Sequence, residues 1–123
     1  MPNALVVDDD TAMRETLVAF LRQHGYAVLP APDGLDALRQ IQANQPDILL
    51  LDLALPSASG LKVLRSLSGR APDLMVIVMS GVLDDEWSER AAFALGAKAC
   101  LRKPFRLAAL QSGLKSGAQA RAA

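Results

Sequence analysis

The chain has 123 residues, a length that suits one compact domain. Hydrophobic residues make up 51% of the composition and charged residues 21%, which favours a packed core and excludes an extensively disordered chain. The 13 Lys and Arg residues balance the 13 Asp and Glu residues, whereas a broad nucleic-acid-binding surface would require an excess of positive charge.

The number of cysteines and the length of the apolar runs exclude several classes of protein. Cys100 is the single cysteine, so an internal disulfide is excluded, and no cluster of Cys and His suggests a zinc site. The apolar runs are too short to span a membrane, and the first residues lack the pattern of a secretory signal. We therefore expect a cytoplasmic protein.

Short apolar runs alternate with segments of helical periodicity along the whole chain. Strands are predicted at residues 4–7, 26–29, 47–51, 74–79 and 98–101. Helices are predicted over residues 12–24, 34–44, 61–67 and 84–95, and from about residue 106 onward.

This alternation predicts a parallel sheet with helices on both faces. The predicted strands are apolar throughout, as strands covered on both faces must be. We find no internal repeat and no second domain. The domain is expected to cover residues 1–116, with residues 117–123 forming a frayed tail or the start of a linker.

Polar side chains follow four of the five predicted strands. Asp8 and Asp9 follow the first strand, Asp52 the third and Ser80 the fourth, while Lys103 comes shortly after the fifth. Functional sites of open parallel sheets lie beyond the carboxyl ends of the strands. We therefore expect these groups to meet at one edge of the sheet.

The charges at this edge require a cation. Two carboxylates about 5 Å apart repel each other by roughly 3 kcal/mol at an effective dielectric constant near 20. Mg²⁺ prefers oxygen ligands and fits such a cluster, with Lys103 completing the neutralisation. A carboxylate beside Mg²⁺, a lysine and a hydroxyl also suits phosphoryl transfer, in which Asp52 forms an aspartyl phosphate and Lys103 and Ser80 hold phosphoryl oxygens.

Four segments in this order resemble the response regulator receiver family over nearly the whole chain. They are Leu5-Val6-Val7-Asp8-Asp9, then Asp52-Leu53-Ala54-Leu55-Pro56 with Gly60, then Ser80-Gly81, and finally Lys103-Pro104-Phe105. Each segment is a weak signal alone, and their order makes the signal specific. The resemblance implies a flavodoxin-like, doubly wound α/β domain with a five-stranded parallel sheet in the order 2-1-3-4-5 and five helices.

The resemblance also implies a metal-binding role for four positions. Asp52 would be the phospho-acceptor and a Mg²⁺ ligand. Asp9 would bind the ion directly, and Asp8 would act mainly through water. Ala54 would contribute its backbone carbonyl. Ala54 and Val82 flank the expected site and would tune the access of water.

For Ser80 and Lys103 the resemblance implies contact with the phosphoryl group, with Ser80 moving on activation. The Lys103–Pro104 bond is expected to be cis, as in the family. The family usually has an aromatic residue three positions before the lysine, where this chain has Cys100. Ser80 must therefore signal through the neighbouring helix alone, or another group must fill that space.

The implied function is that of a two-component signalling receiver. A sensor histidine kinase or a phosphotransfer protein would phosphorylate Asp52, and the altered surface would control an output protein or domain. The segment itself would bind neither nucleic acid nor a membrane, and it would catalyse only its own phosphorylation and dephosphorylation. It could equally be part of a hybrid histidine kinase or of a DNA-binding regulator.

Two further interpretations remain open. Cys100 is compatible with a degenerate receiver that binds a partner without phosphorylation. Asp8 and Asp10 have the spacing of a haloacid dehalogenase-like phosphatase, although Ala12 replaces the expected Thr or Val and no cap domain fits this length. Trp87, on the predicted fourth helix, is either a core residue or a partner contact.

Overall fold

The computed structural model describes residues 2–81 and 86–122, with side chains described as far as residue 115. The strands are β1 (Asn3–Val7), β2 (Ala27–Ala31), β3 (Ile48–Asp52), β4 (Met75–Ser80) and β5 (Ala99–Arg102). The helices are α1 (Thr11–Gln23), α2 (Gly34–Asn44), α3 (Gly60–Leu67), α4 (Glu86–Ala94) and α5 (Leu107–Ala122).

The five strands form one parallel sheet in the order β2-β1-β3-β4-β5, which confirms the predicted fold class. In the register of the three central strands, Val7 lies beside Leu51, and Leu51 lies beside Val78. Because all strands run in the same direction, their carboxyl ends share one edge. The residues that follow β1, β3 and β4 are therefore neighbours in space.

Alternate residues of each central strand enter two separate hydrophobic cores, one on each face of the sheet. Val6, Leu50 and Ile77 pack beneath α1 and α5, in a cluster that also includes Leu17 and Leu110. The other face contains Val7, Leu51, Val78, Ile41 and Leu64, from the strands and from α2 and α3. Burial on both faces explains why the strand sequences are apolar without alternation.

Side chains at the helix ends define the boundaries of three helices. Asp10, Asp33 and Ser59 are the N-cap residues of α1, α2 and α3, and each accepts a hydrogen bond from a backbone N–H in the first turn. His24 caps the carboxyl end of α1 and is exposed, and Gly25 follows with a φ of 90°, a conformation that favours glycine.

Most of the described boundaries lie within one or two residues of the predicted ones, and two of the differences are informative. Strand β2 includes Pro30, which an edge strand tolerates because one side of its backbone has no neighbouring strand to bond. Helix α5 continues to Ala122, whereas the sequence predicts a frayed tail or a linker from residue 117 onward. The division between residues 1–116 and residues 117–123 stays a prediction.

Further sequence expectations concern the fourth helix. Its predicted start at Asp84, together with Val82, lies outside the described residues. Trp87 is 67% exposed, so it is not a core residue. Within the described part of the chain, no helix is long and apolar enough to cross a membrane.

Candidate functional site

Three carboxylates meet at the carboxyl edge of the sheet. Asp8 and Asp9 follow β1 directly, and Asp52 is the last residue of the neighbouring strand β3. One carboxylate oxygen from each of them lies within 4.8 Å of the others. Asp8 and Asp52 are buried and Asp9 is exposed, so the cluster opens to solvent on one side. Its oxygen ligands could hold a metal ion.

Lys103 joins this cluster from the loop that follows β5. Its Nζ donates to Oδ2 of Asp8 at 2.7 Å and to Oδ2 of Asp52 at 2.9 Å. The adjacent Lys103–Pro104 peptide bond is cis, as expected. Because the two carboxylates are almost fully buried, the shared ammonium replaces part of the solvation that they lose.

Burial and hydrogen bonding act on Asp52 in opposite directions. Burial raises the pKa of Asp52 to about 6, even though hydrogen bonds from Lys103 and from the backbone N–H of Ala54 lower it. For Lys103, burial lowers the pKa, but the bonds with Asp8 and Asp52 outweigh it and the net pKa lies above its usual value. At neutral pH, Asp52 is therefore mostly a carboxylate and Lys103 an ammonium.

Ala54 lies at the exposed mouth of the site. Its backbone N–H donates to Oδ1 of Asp52 at 3.0 Å, which holds the carboxylate oxygen that Lys103 does not contact. The contribution of the Ala54 carbonyl to a metal ion stays a prediction.

Gly60 packs directly against the backbone of the Asp52 strand end. Its N–H donates to the carbonyl of Leu53 at 2.9 Å. A Cβ atom at this position would lie 2.5 Å from the carbonyl oxygen of Asp52 and 2.6 Å from the Cα of Leu53. Only glycine therefore lets α3 begin this close to the acceptor strand.

Arg14 is a residue of the site that the sequence analysis missed. Its Nη1 donates to the backbone carbonyl of Asp8 at 2.7 Å, while the N–H of Asp10 donates to Oδ1 of Asp8 at 3.0 Å. These bonds hold both the main chain and the side chain of Asp8. An arginine one turn into an ordinary helix carries no distinguishing sequence signal, so this contact could not be predicted.

Ser80 lies at the end of β4, as predicted, but its hydroxyl points to a helix. Among the described residues, the Ser80 Oγ donates to Oε1 of Glu89 on α4 at 2.9 Å and lies 3.7 Å from the Sγ of Cys100. The backbone carbonyl of Ser80 accepts from the N–H of Lys103 at 2.7 Å, which ties β4 to the lysine. Glu89 is thus a second residue that the sequence analysis missed.

Comparison with known proteins agrees with this geometry. The family model described as "Response regulator receiver domain" matches residues 4–115. "Response regulator MprA" of Mycobacterium ulcerans is 42% identical over 113 residues, which cover 91% of this chain and 48% of that protein. The chain thus spans about half the length of the curated relatives it matches.

Solved structures show the same arrangement of strands and helices. A response regulator receiver domain protein (CheY-like) from Methanospirillum hungatei superposes with a TM-score of 0.92 at 25% identity, covering 98% of this chain and 96% of that one. A receiver domain from Clostridium thermocellum gives a TM-score of 0.88 at 27% identity, covering 95% and 94% of the two chains. Together, the family match, the related sequences and the acidic edge of the sheet show that this chain belongs to the response regulator receiver domain family of two-component signalling.

Proposed function

We propose that this domain accepts a phosphoryl group on Asp52 in a Mg²⁺-dependent reaction and thereby controls an output. The observation that carries the proposal is the meeting of Asp8, Asp9 and Asp52 with Lys103 at one edge of the sheet. Four residues from three separate parts of the chain combine a nucleophile, oxygen ligands for a cation and a fixed positive charge.

The acidic cluster fits Mg²⁺ by the chemistry of its donors. Asp9 would bind the ion directly, Asp52 and the backbone carbonyl of Ala54 would complete the protein ligands, and Asp8 would act mainly through water. When bound, Mg²⁺ offsets negative charge on the transferring group and helps to align it. Because a hard divalent ion also relieves the repulsion between the carboxylates, binding should stabilise the folded protein.

In the proposed reaction, one carboxylate oxygen of Asp52 attacks the phosphorus of a phosphohistidine. A P–O bond forms as the P–N bond breaks, and the leaving imidazole nitrogen takes up a proton from solvent water. Lys103, whose Nζ lies 2.9 Å from Oδ2 of Asp52, is within reach of an oxygen on the phosphoryl group and would hold it. Attack of water on the aspartyl phosphate reverses the modification, and the domain catalyses no reaction beyond these two.

The proposed partners are a sensor histidine kinase or a phosphotransfer protein, and a downstream output protein or domain. The length of the curated relatives supports an output domain, since they extend well beyond the region matched here. The balanced charge of the chain supports the absence of direct nucleic-acid binding by this segment.

The geometry weighs against the phosphatase interpretation. That mechanism would need Asp10 to act on the substrate beside Asp8. The carboxylate of Asp10 instead accepts the N–H of Met13 at 3.2 Å and caps α1. Asp10 is therefore engaged in helix formation rather than directed into the acidic cluster.

The proposal is tested by the intact mass of the protein after incubation with Mg²⁺ and acetyl phosphate. We expect the mass to increase by one phosphoryl group. The gain should be absent without Mg²⁺ and absent from the Asp52→Asn variant. If the wild-type protein gains no mass, the degenerate-receiver interpretation, in which Cys100 replaces the usual aromatic residue, takes its place.

A further inference from the structure

Glu89 connects the hydroxyl of Ser80 to an arginine on the neighbouring strand. Its Oε1 accepts the Ser80 Oγ–H at 2.9 Å. The same carboxylate accepts from Nε of Arg102 at 2.9 Å and from Nη2 of Arg102 at 2.8 Å. The ends of β4 and β5 are thus joined through one side chain of α4, and we call these residues the Ser80–Glu89–Arg102 chain.

The side chains of Glu89 and Arg102 differ in their exposure to solvent. The Glu89 side chain is only 13% exposed, whereas that of Arg102 is 73% exposed. The hydrogen bonds from Arg102 and, next, from Ser80 lower the pKa of Glu89. Glu89 is therefore an acceptor without a proton of its own, fixed by a bidentate arginine contact.

In this arrangement the hydroxyl proton of Ser80 is donated to Glu89. A serine hydroxyl has one proton to donate, and an ionised carboxylate can only accept. The Sγ of Cys100, 3.7 Å from the Ser80 Oγ, is placed to donate weakly to that oxygen rather than to compete for its proton. To donate to a phosphoryl oxygen on Asp52, Ser80 must first give up its bond to Glu89.

We infer that Glu89 is a positioning residue that holds the Ser80 hydroxyl away from the acceptor site in the unmodified domain. Release of Ser80 leaves Glu89 with both of its Arg102 bonds, so the exchange costs one hydrogen bond and exposes no unpaired charge. The inference rests on the proposed phosphorylation of Asp52. The family usually has an aromatic side chain at the position of Cys100. In this chain, Glu89 and Arg102 would take over the contact with Ser80 in place of that aromatic side chain.

A double-mutant cycle in phosphoryl uptake tests this inference. The initial rate with Mg²⁺ and acetyl phosphate is measured for the wild-type protein, Glu89→Ala, Ser80→Ala and the double variant. Because a hydrogen bond to a charged acceptor opposes the reaction, we expect Glu89→Ala to raise the rate about tenfold when Ser80 is present. In the Ser80→Ala background, removal of Glu89 should leave the rate unchanged.

Two further variants separate this role from an effect of charge. Glu86→Ala removes the same charge one turn earlier on α4. Glu86 forms an exposed ion pair with Arg90 at 3.9 Å, so this variant should react at the wild-type rate. Glu89→Gln keeps an oxygen that can accept the Ser80 proton but loses one Arg102 bond. Its rate should lie between those of the wild-type protein and Glu89→Ala.

The measured rates distinguish failure of the inference about Glu89 from failure of the proposed function. An unchanged rate in Glu89→Ala, or the same acceleration with and without Ser80, would overturn the inference while leaving the proposed function intact. No phosphoryl uptake by any variant would overturn the proposed function and, with it, the restraint on phosphorylation. Urea unfolding of the same four unmodified proteins tests the contact independently of phosphorylation. If Ser80 and Glu89 are bonded in solution, the effects of the two substitutions on the free energy of unfolding should not be additive.

Discussion

The ammonium of Lys103 lies 2.9 Å from Oδ2 of Asp52, although 51 residues separate them in the chain. The same Nζ lies 2.7 Å from Oδ2 of Asp8. A single cation therefore supports two almost fully buried carboxylates at the edge of the sheet. This arrangement links the stability of the domain to the chemistry of its acceptor residue, because removal of the shared cation would leave both carboxylates poorly solvated.

Replacement of Lys103 by methionine should destabilise the Mg²⁺-free protein. Asp8 and Asp52 would lose their shared partner, which for a buried pair costs about 3 kcal/mol of unfolding free energy. Urea unfolding checks the loss, and millimolar Mg²⁺ should restore part of it by supplying another cation. Lys98→Met, at an exposed position just before β5, is the matched control and should change little. Equal effects of the two substitutions would contradict the structural role of Lys103.

Replacement of Asp52 by asparagine should stabilise the Mg²⁺-free protein, and the gain should depend on pH. Folding raises the pKa of Asp52 from 3.8 to about 6, a difference worth about 3 kcal/mol. A raised carboxyl pKa contributes stability below about pH 4, and this contribution is lost as the pH rises through about 6. The advantage of Asp52→Asn should therefore be small at pH 4 and grow towards about 3 kcal/mol at pH 7.5.

Urea unfolding in a chelating buffer at both pH values measures this difference. Asp73→Asn serves as the control, because Asp73 is exposed and precedes β4 at the opposite edge of the sheet. A gain that is independent of pH, or larger at pH 4, would contradict the raised pKa of Asp52.

The strands and the acidic edge were predictable from the sequence for a simple physical reason. In a parallel sheet every strand ends at the same edge, so residues that follow apolar runs, such as Asp8, Asp52 and Lys103, must converge. Their meeting needs no knowledge of side-chain orientation. The order of the strands, in contrast, came from the resemblance to a family, because periodicity alone does not specify which strands are neighbours.

Contacts made by helices were not predictable in the same way. Arg14 and Glu89 reach the site from α1 and α4, and their contacts depend on how each helix is rotated and placed against the sheet. Exposed and functional charges have the same appearance in an amphipathic helix. The unusual Cys100 did indicate that the surroundings of Ser80 differ from the family pattern, but it could not identify Glu89 as the partner.

Replacement of Gly60 by alanine should destabilise the domain and weaken phosphoryl uptake. The new methyl group would lie 2.5 Å from the Asp52 carbonyl oxygen, so the backbone of the acceptor strand must shift. Overpacking of this kind costs about 1–3 kcal/mol. Urea unfolding measures the cost, and the rate of phosphoryl uptake from acetyl phosphate reports the displacement of Asp52.

Gly113→Ala provides a control with the opposite sign. A Cβ at Gly113, within α5, would meet the Cδ1 of Ile77 at 3.6 Å, an ordinary van der Waals contact. Since alanine is favoured over glycine inside a helix, this substitution should stabilise the protein by about 0.5–1 kcal/mol. Destabilisation by both substitutions to a similar extent would argue against a special constraint at Gly60.

Mg²⁺ should raise the melting temperature of the wild-type protein. An ion that binds only the folded state adds about 2.7 kcal/mol of stability at a concentration a hundredfold above its dissociation constant. Asp9→Asn should remove most of this shift, because Asp9 is the proposed direct ligand. Asp10→Asn should retain it, since asparagine also caps helices and the Asp10 carboxylate accepts from Met13 rather than facing the cluster.

Thermal denaturation with and without millimolar Mg²⁺ is the measurement for these three proteins. The absence of a shift in the wild-type protein would count against a working metal site. If the shift survives Asp9→Asn but is lost in Asp10→Asn, Asp10 rather than Asp9 binds the ion, and the proposed ligand is wrong.

The most direct test of Asp52 as the acceptor locates the phosphoryl group on the chain. After incubation with Mg²⁺ and acetyl phosphate, borohydride reduces an aspartyl phosphate to homoserine, and peptide mass spectrometry identifies the converted residue. We expect conversion at Asp52 alone, and only when Mg²⁺ is present. Conversion at Asp8 or Asp9, or no conversion in protein that has been exposed to Mg²⁺ and the phosphodonor, would contradict the assignment of Asp52 as the acceptor.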